Sequence, residues 1–291
     1  MRLSVFAATL ILASVLSATA NAKTKVVASF SILGDMVEQV VGDLAEVETI
    51  VGPDADAHIY TPNVDDARAV ATADVIFTNG LGFETWSKTL IDTAGTKARV
   101  YVATKGITPL KIDGEIDPHA WNALTNGMTY VTNIADAMAE FDPANAPAYR
   151  ANASTYRVKL KALHEKALSS VAGIPAERRN VVTAHDAFGY LAQAYGLGFL
   201  APVGIDTEAE PSARRLATLI TQLKEKQAAA LFIENITNPD LVQQISAETG
   251  LKIGGWLYSD ALSQRGGPAT SYLAMFEHNL TTLLTALKPT M

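Results

Sequence analysis

Between Ala146 and Ala172 the apolar positions Tyr149, Ala153, Tyr156, Leu160, Leu163, Ala167 and Val171 recur at alternating spacings of four and three, with Arg157, Lys159, Lys161 and Lys166 off that line. The pattern predicts one unbroken helix with a single narrow apolar stripe. Asn145 is the expected N-cap, Pro147 falls in the first turn, where a missing N–H is harmless, and Gly173 and Pro175 stop the far end. At about 1.5 Å per residue the helix runs roughly 40 Å, enough to act as a rigid spine between two lobes. Its heptad-like pattern does not continue beyond it, which argues against a dimerising coiled coil.

On either side, short apolar runs alternate with amphipathic ones. Val26–Phe30, Glu46–Val51, Val75–Thr78 and Arg99–Val102 read as strands, with helices near 32–41, 63–73 and 84–93. A loop over 104–125 and a helix from about Asn126 lead into the spine. Beyond it the grammar repeats, with strands at Val181–Thr183, Gly198–Ala201, Ala230–Ile233 and Lys252–Trp256 and helices near 187–195, 212–226, 238–248 and 270–287. Val51-Gly52-Pro53-Asp54 is echoed by Val203-Gly204-Ile205-Asp206, each between a strand and a helix. Such alternation predicts right-handed βαβ units. The expected fold class is α/β: an N-terminal lobe over 23–145, a linking helix over 146–172 and a C-terminal lobe over 173–291, each lobe a parallel sheet flanked by helices, with a site in the cleft between them.

Residues 1–22 stand apart. Arg2, the apolar run Leu3–Leu16 and Ala20-Asn21-Ala22 have the form of a signal peptide cleaved after Ala22, too short in its apolar part to span ~30 Å of bilayer. With no cysteine in the chain, neither disulfides nor a lipid-bearing cysteine is expected, so the mature protein is expected to be a periplasmic monomer without a lipid anchor. A net charge of −7 without any long basic run excludes nucleic acid as an expected partner.

Five histidines carry the candidate chemistry. His164 lies on the spine and His278 on the terminal helix, where packing or surface roles are expected. His58, His119 and His185 all fall in strand-end loops, and imidazole is the side chain best suited to Zn²⁺ at neutral pH. A closed tetrahedral site wants a fourth ligand, and Asp260, after the last strand, supplies it from the second lobe together with His185. Asp117 and Asp186 are placed to orient imidazoles from behind.

These segments resemble the cluster A-I solute-binding proteins of zinc- and manganese-importing ABC transporters. The likeness is carried by His58-Ile59-Tyr60-Thr61-Pro62, Asn79-Gly80-Leu81-Gly82-Phe83-Glu84, Asp117-Pro118-His119-Ala120-Trp121, the spine, His185-Asp186-Ala187-Phe188-Gly189-Tyr190, Phe232-Ile233-Glu234-Asn235 and Glu248-Thr249-Gly250. The resemblance implies two α/β lobes joined by one rigid helix, metal ligands at His58, His119, His185 and Asp260, and delivery of the ion to a permease, with no catalysis. Manganese members tend to carry Glu at the third histidine, so His185 favours zinc. Two departures stand out. Asn122-Ala123-Leu124-Thr125 replaces the usual continuation after Trp121, and the segment 104–115 has none of the histidines that many zinc-specific relatives carry there, leaving loading to other segments or to a separate metallochaperone. The competing class is an exported zinc hydrolase. The chain lacks His-Glu-x-x-His and Gly-x-Ser-x-Gly, and no base is evident once Asp260 is a ligand.

Overall fold

The computed structural model describes residues 23–208, 212–226 and 228–288; the expected signal peptide lies outside them. The first half contains strands β1 (Thr24–Phe30), β2 (Ala45–Val51), β3 (Val75–Thr78) and β4 (Arg99–Val102) and helices α1 (Ser31–Val41), α2 (Val64–Thr72) and α3 (Ser87–Ala94). A small hairpin, β5 (Lys111–Ile112) and β6 (Glu115–Ile116), and α4 (Leu124–Phe141) precede the spine α5 (Ala146–Ala172). After it come β7 (Asn180–Val182), α6 (Gly189–Tyr195), β8 (Gly198–Leu200), α7 (Ala213–Lys226), β9 (Leu231–Glu234), α8 (Asp240–Thr249), β10 (Ile253–Leu257) and α9 (Tyr272–Leu287).

The two large sheets are parallel and share one topology. The first runs β2-β1-β3-β4 and the second β8-β7-β9-β10, so each sheet's first strand lies second, beside its own successor. Helices over the faces bury β1 from Val26 onward and the whole of β3, as a doubly covered parallel sheet requires. The short signature noticed twice in the sequence follows β2 in one sheet and β8 in the other, which are equivalent edge strands.

The spine buries the seven predicted stripe residues, and it packs on α4, α1, α9 and α6. Elements of both halves therefore share one continuous apolar core with it. Asn145 occupies the N-cap position without capping: its amide donates to Asp142 Oδ2 at 2.7 Å, and Asp142 also accepts the Tyr149 hydroxyl. The hairpin interrupts what the sequence suggested was plain loop.

Polar contacts tie the halves at the spine. Asp35 of α1 accepts the Tyr272 N–H that opens α9 at 2.9 Å and the Tyr156 hydroxyl of the spine at 3.3 Å; burial raises its pKa. The Tyr272 ring enters the space left by Gly127 of α4, where a Cβ would stand 2.4 Å from its oxygen, and its hydroxyl donates to the Trp121 carbonyl at 2.6 Å. With α1, α4, α9 and the spine locked together, opening is expected as a small tilt and not a wide hinge. Small-angle scattering of metal-free and metal-loaded protein should give nearly equal radii of gyration; a large difference would contradict this packing. Among the described residues, no helix is long and apolar enough to cross a membrane.

Candidate metal centre

All four predicted ligand residues come together where the carboxyl ends of the two sheets meet. His58 follows β2, His119 follows the hairpin, His185 follows β7 directly and Asp260 lies just past β10. One ligand atom from each lies within 4.8 Å of every other. His58 Nε2 is 3.1 Å from His119 Nε2, and Asp260 Oδ2 is 3.1 Å from His185 Nε2, 3.4 Å from His58 Nε2 and 3.7 Å from His119 Nε2. Ligands about 2.0–2.1 Å from a tetrahedral zinc ion stand about 3.3 Å from one another, and these four separations lie close to that spacing. His164 and His278 lie elsewhere. The first meets the Tyr195 hydroxyl at 2.9 Å and the second faces the Trp256 carbonyl at 3.1 Å.

Carboxylates fix two of the imidazoles. Asp117 Oδ1 accepts both the backbone N–H and Nδ1 of His119, at 2.9 and 2.8 Å, which turns Nε2 toward the centre. On the other lobe that position belongs to Glu234, not to Asp186 as expected. Glu234 Oε2 lies 2.7 Å from His185 Nδ1, while Oε1 accepts the backbone N–H groups of Ala184 and His185 at 2.7 and 2.9 Å. Glu234 ends a fully buried strand, and an acid closing an apolar run was the signal available in the sequence. His58 is held differently, through its backbone N–H on Asp56 Oδ1 at 2.9 Å; Asp56 Oδ2 accepts the Thr207 hydroxyl across the cleft at 2.6 Å. We expect Glu234→Gln to weaken metal binding by about 10–100-fold, since it loosens His185 without removing a ligand. A titration showing wild-type affinity would reject that role.

The Asn79–Glu84 segment builds the floor of the site. Gly80, Leu81 and Gly82 all have positive φ, and a Cβ on Gly80 would stand 2.5 Å from Val102 Cγ1. Glycine is needed there because an L side chain would be strained and would clash. The turn aims Phe83 at His58, ring centroids 4.7 Å apart, and at Trp121, 4.8 Å apart. Buried Glu84 gathers the turn by accepting the Ser29 hydroxyl at 2.5 Å and the N–H groups of Asn79 and Gly80 at 2.6 and 3.3 Å; burial raises its pKa despite these donors. Asn79 in turn donates from Nδ2 to the Pro118 carbonyl at 2.9 Å, anchoring the loop that presents His119.

The charges of the centre act strongly on one another. Burial disfavours a charged imidazole at His119, but the Asp260 and Asp117 carboxylates outweigh it and hold its pKa up at about 9. Burial also opposes a charge on His185, and Glu234 and Asp260 overcome it, placing its pKa well above the ordinary histidine value. Burial would raise Asp260, yet the two facing imidazoles hold its carboxyl well below the usual range. Asp260 is thus a ready anion, and His119 and His185 carry protons that a cation must displace.

Residues 26–286 match the family described as zinc-uptake complex component A, periplasmic. Similar proteins include the iron-binding protein YfeA of Yersinia pestis, 35% identical over 268 residues that cover 90% of this chain and 85% of that one. The manganese-binding lipoprotein MntA of Halalkalibacterium halodurans is 34% identical, covering 90% of this chain and 88% of its own. Among solved structures, the periplasmic zinc-binding protein TroA from Treponema pallidum superposes with a TM-score of 0.88 at 27% identity, over 92% of this chain and all of that one. A manganese-bound periplasmic metal-binding protein from Candidatus Liberibacter asiaticus gives 0.84 at 31% identity, over 91% of this chain and all of its own.

Proposed function

We propose that this chain, which belongs to the zinc-uptake complex component A family and so to the metal-binding substrate-binding proteins of ABC transporters, captures Zn²⁺ with His58, His119, His185 and Asp260 and delivers it to an inner-membrane permease. The observation that carries this reading is the convergence of four ligand atoms, two from each lobe, within 4.8 Å of one another. Three imidazoles and one carboxylate suit zinc, and the surplus positive charge is offset by Asp117 and Glu234 immediately behind two of the imidazoles. The ion is cargo, and with all four groups engaged in holding it, none is left to activate a water for hydrolysis. In this reading the protein works in the periplasm as a monomer after cleavage of the signal peptide behind Ala22, and a metallochaperone is the fitting donor where free zinc is scarce.

A second reading, manganese as cargo, has its own support. Asp260 Oδ1 is buried without a protein partner, so the carboxylate can bind through both oxygens and offer a fifth, hard donor. Several relatives, MntA among them, are named for manganese, and more than one structural neighbour is manganese-bound. A competitive titration of chelator-stripped protein against a chromophoric chelator separates the two. One tightly bound zinc equivalent that manganese cannot displace supports zinc; equal competition by manganese rejects zinc selectivity while leaving the ligand set; binding of neither ion rejects the function.

A further inference from the structure

Asn122 was the first residue at which the sequence left the usual pattern after Trp121, and it lies fully buried where the lobes meet. Its backbone N–H donates to the His119 carbonyl at 3.1 Å. Its side-chain Nδ2 donates across to the Ala187 carbonyl at 3.0 Å, and the Ala187 N–H donates to the His185 carbonyl at 3.0 Å. Hydrogen bonds therefore run unbroken from one proposed ligand to another on the opposite lobe. Trp121 makes a parallel crossing, its Nε1 donating to the Ser259 carbonyl beside Asp260 at 2.7 Å.

The two crossings differ in what else they do. Trp121 also fills the core with a large ring, packed against Phe30 and Phe83. Asn122 contributes little besides its amide, and the Oδ1 of that amide is buried without a protein partner. A buried amide with half its hydrogen-bonding capacity unmet is unfavourable, and an apolar side chain of similar size would fill the space without that penalty. What the position gains from asparagine is the donor to Ala187.

We infer that Asn122 is a positioning residue that fixes the separation of His119 and His185 and thereby sets which divalent ion the site retains. This rests on the metal-binding reading of the four-residue cluster. Zinc takes a compact tetrahedral shell with ligand atoms about 3.3 Å apart. An ion that favours more ligands and harder oxygen donors needs a wider shell. The brace opposes widening, so it holds zinc tightly and gives no corresponding gain to manganese.

The test uses Asn122→Leu, which removes the donor and the unpartnered oxygen together while keeping the same branching, with the smaller Asn122→Ala beside it. Zinc and manganese release from the loaded mature protein are followed by stopped-flow transfer to a chromophoric chelator, and Tm is measured without metal. For both variants we expect zinc to leave about tenfold faster, on the scale of one lost hydrogen bond, and manganese to change by no more than about twofold. The Tm of Asn122→Leu should not fall. Unchanged zinc release, or equal acceleration for both ions, overturns the assignment to Asn122 while leaving the metal site intact. If the wild-type protein binds neither ion, the metal-binding reading itself fails, and this inference with it.

Discussion

Replacing His119 or His185 by alanine is expected to weaken zinc binding by more than about 100-fold, exceeding the 10–100-fold typical when only an orienting partner is lost. Each substitution removes a ligand and also leaves a buried carboxylate without the imidazole facing it, Asp117 at 2.8 Å or Glu234 at 2.7 Å. The fold should survive, because the core of each lobe and the spine lie beneath these loops. His164→Ala and His278→Ala serve as controls. His164 meets Tyr195 and His278 faces the end of β10, so both should bind zinc like the parent. Equal affinity across all four variants, measured by chelator competition, would sink the ligand assignment.

Acidification is expected to have the second largest effect. His119, with its pKa up at about 9, carries a proton in the metal-free protein throughout the neutral range, and His185 does so as well. Zinc binding requires neutral imidazoles, so it must release those protons, and apparent affinity falls about tenfold per pH unit for each proton displaced. Between pH 7.5 and 6.5, with a proton displaced from each histidine, the account predicts a loss of about a hundredfold. Affinity should rise with pH until about 9, where the His119 contribution levels off. Calorimetry in buffers of different protonation enthalpy measures the protons released. A flat affinity over this range, with no buffer dependence, would show that the centre is not charged in the way its geometry implies.

Much of this was legible in the sequence because the signals were redundant. The spine carried both a clean stripe and terminal markers, and its observed bounds are the predicted ones. The strands Val75–Thr78 and Arg99–Val102 were bounded by turn residues and appear as predicted. Shorter or relational features were harder to see. The hairpin at 111–116 has strands of two residues, too brief for alternation to register, although Asp113-Gly114, both at positive φ, is the usual hairpin turn pair. Asn145 has the right chemistry for a cap, but nearby Asp142 captured its amide.

The four candidate ligands were found from residue type and strand-end position. What orients them depends on which strands become neighbours. Asp186 adjoins His185 in sequence, whereas Glu234 reaches the imidazole from β9, which pairs with β7 in the sheet. Asn122 registered only as a departure from pattern, since its partner Ala187 lies across the seam between lobes.

The central claim is that these four side chains form one metal shell, and X-ray absorption at the zinc edge of the loaded mature protein tests it most directly. The account predicts a first shell of four nitrogen and oxygen donors at about 2.0–2.2 Å, with the outer scattering of three imidazoles. In His185→Ala one imidazole should be missing. A shell of water-like oxygens with no imidazole scattering, or a spectrum unchanged by His185→Ala, would contradict it.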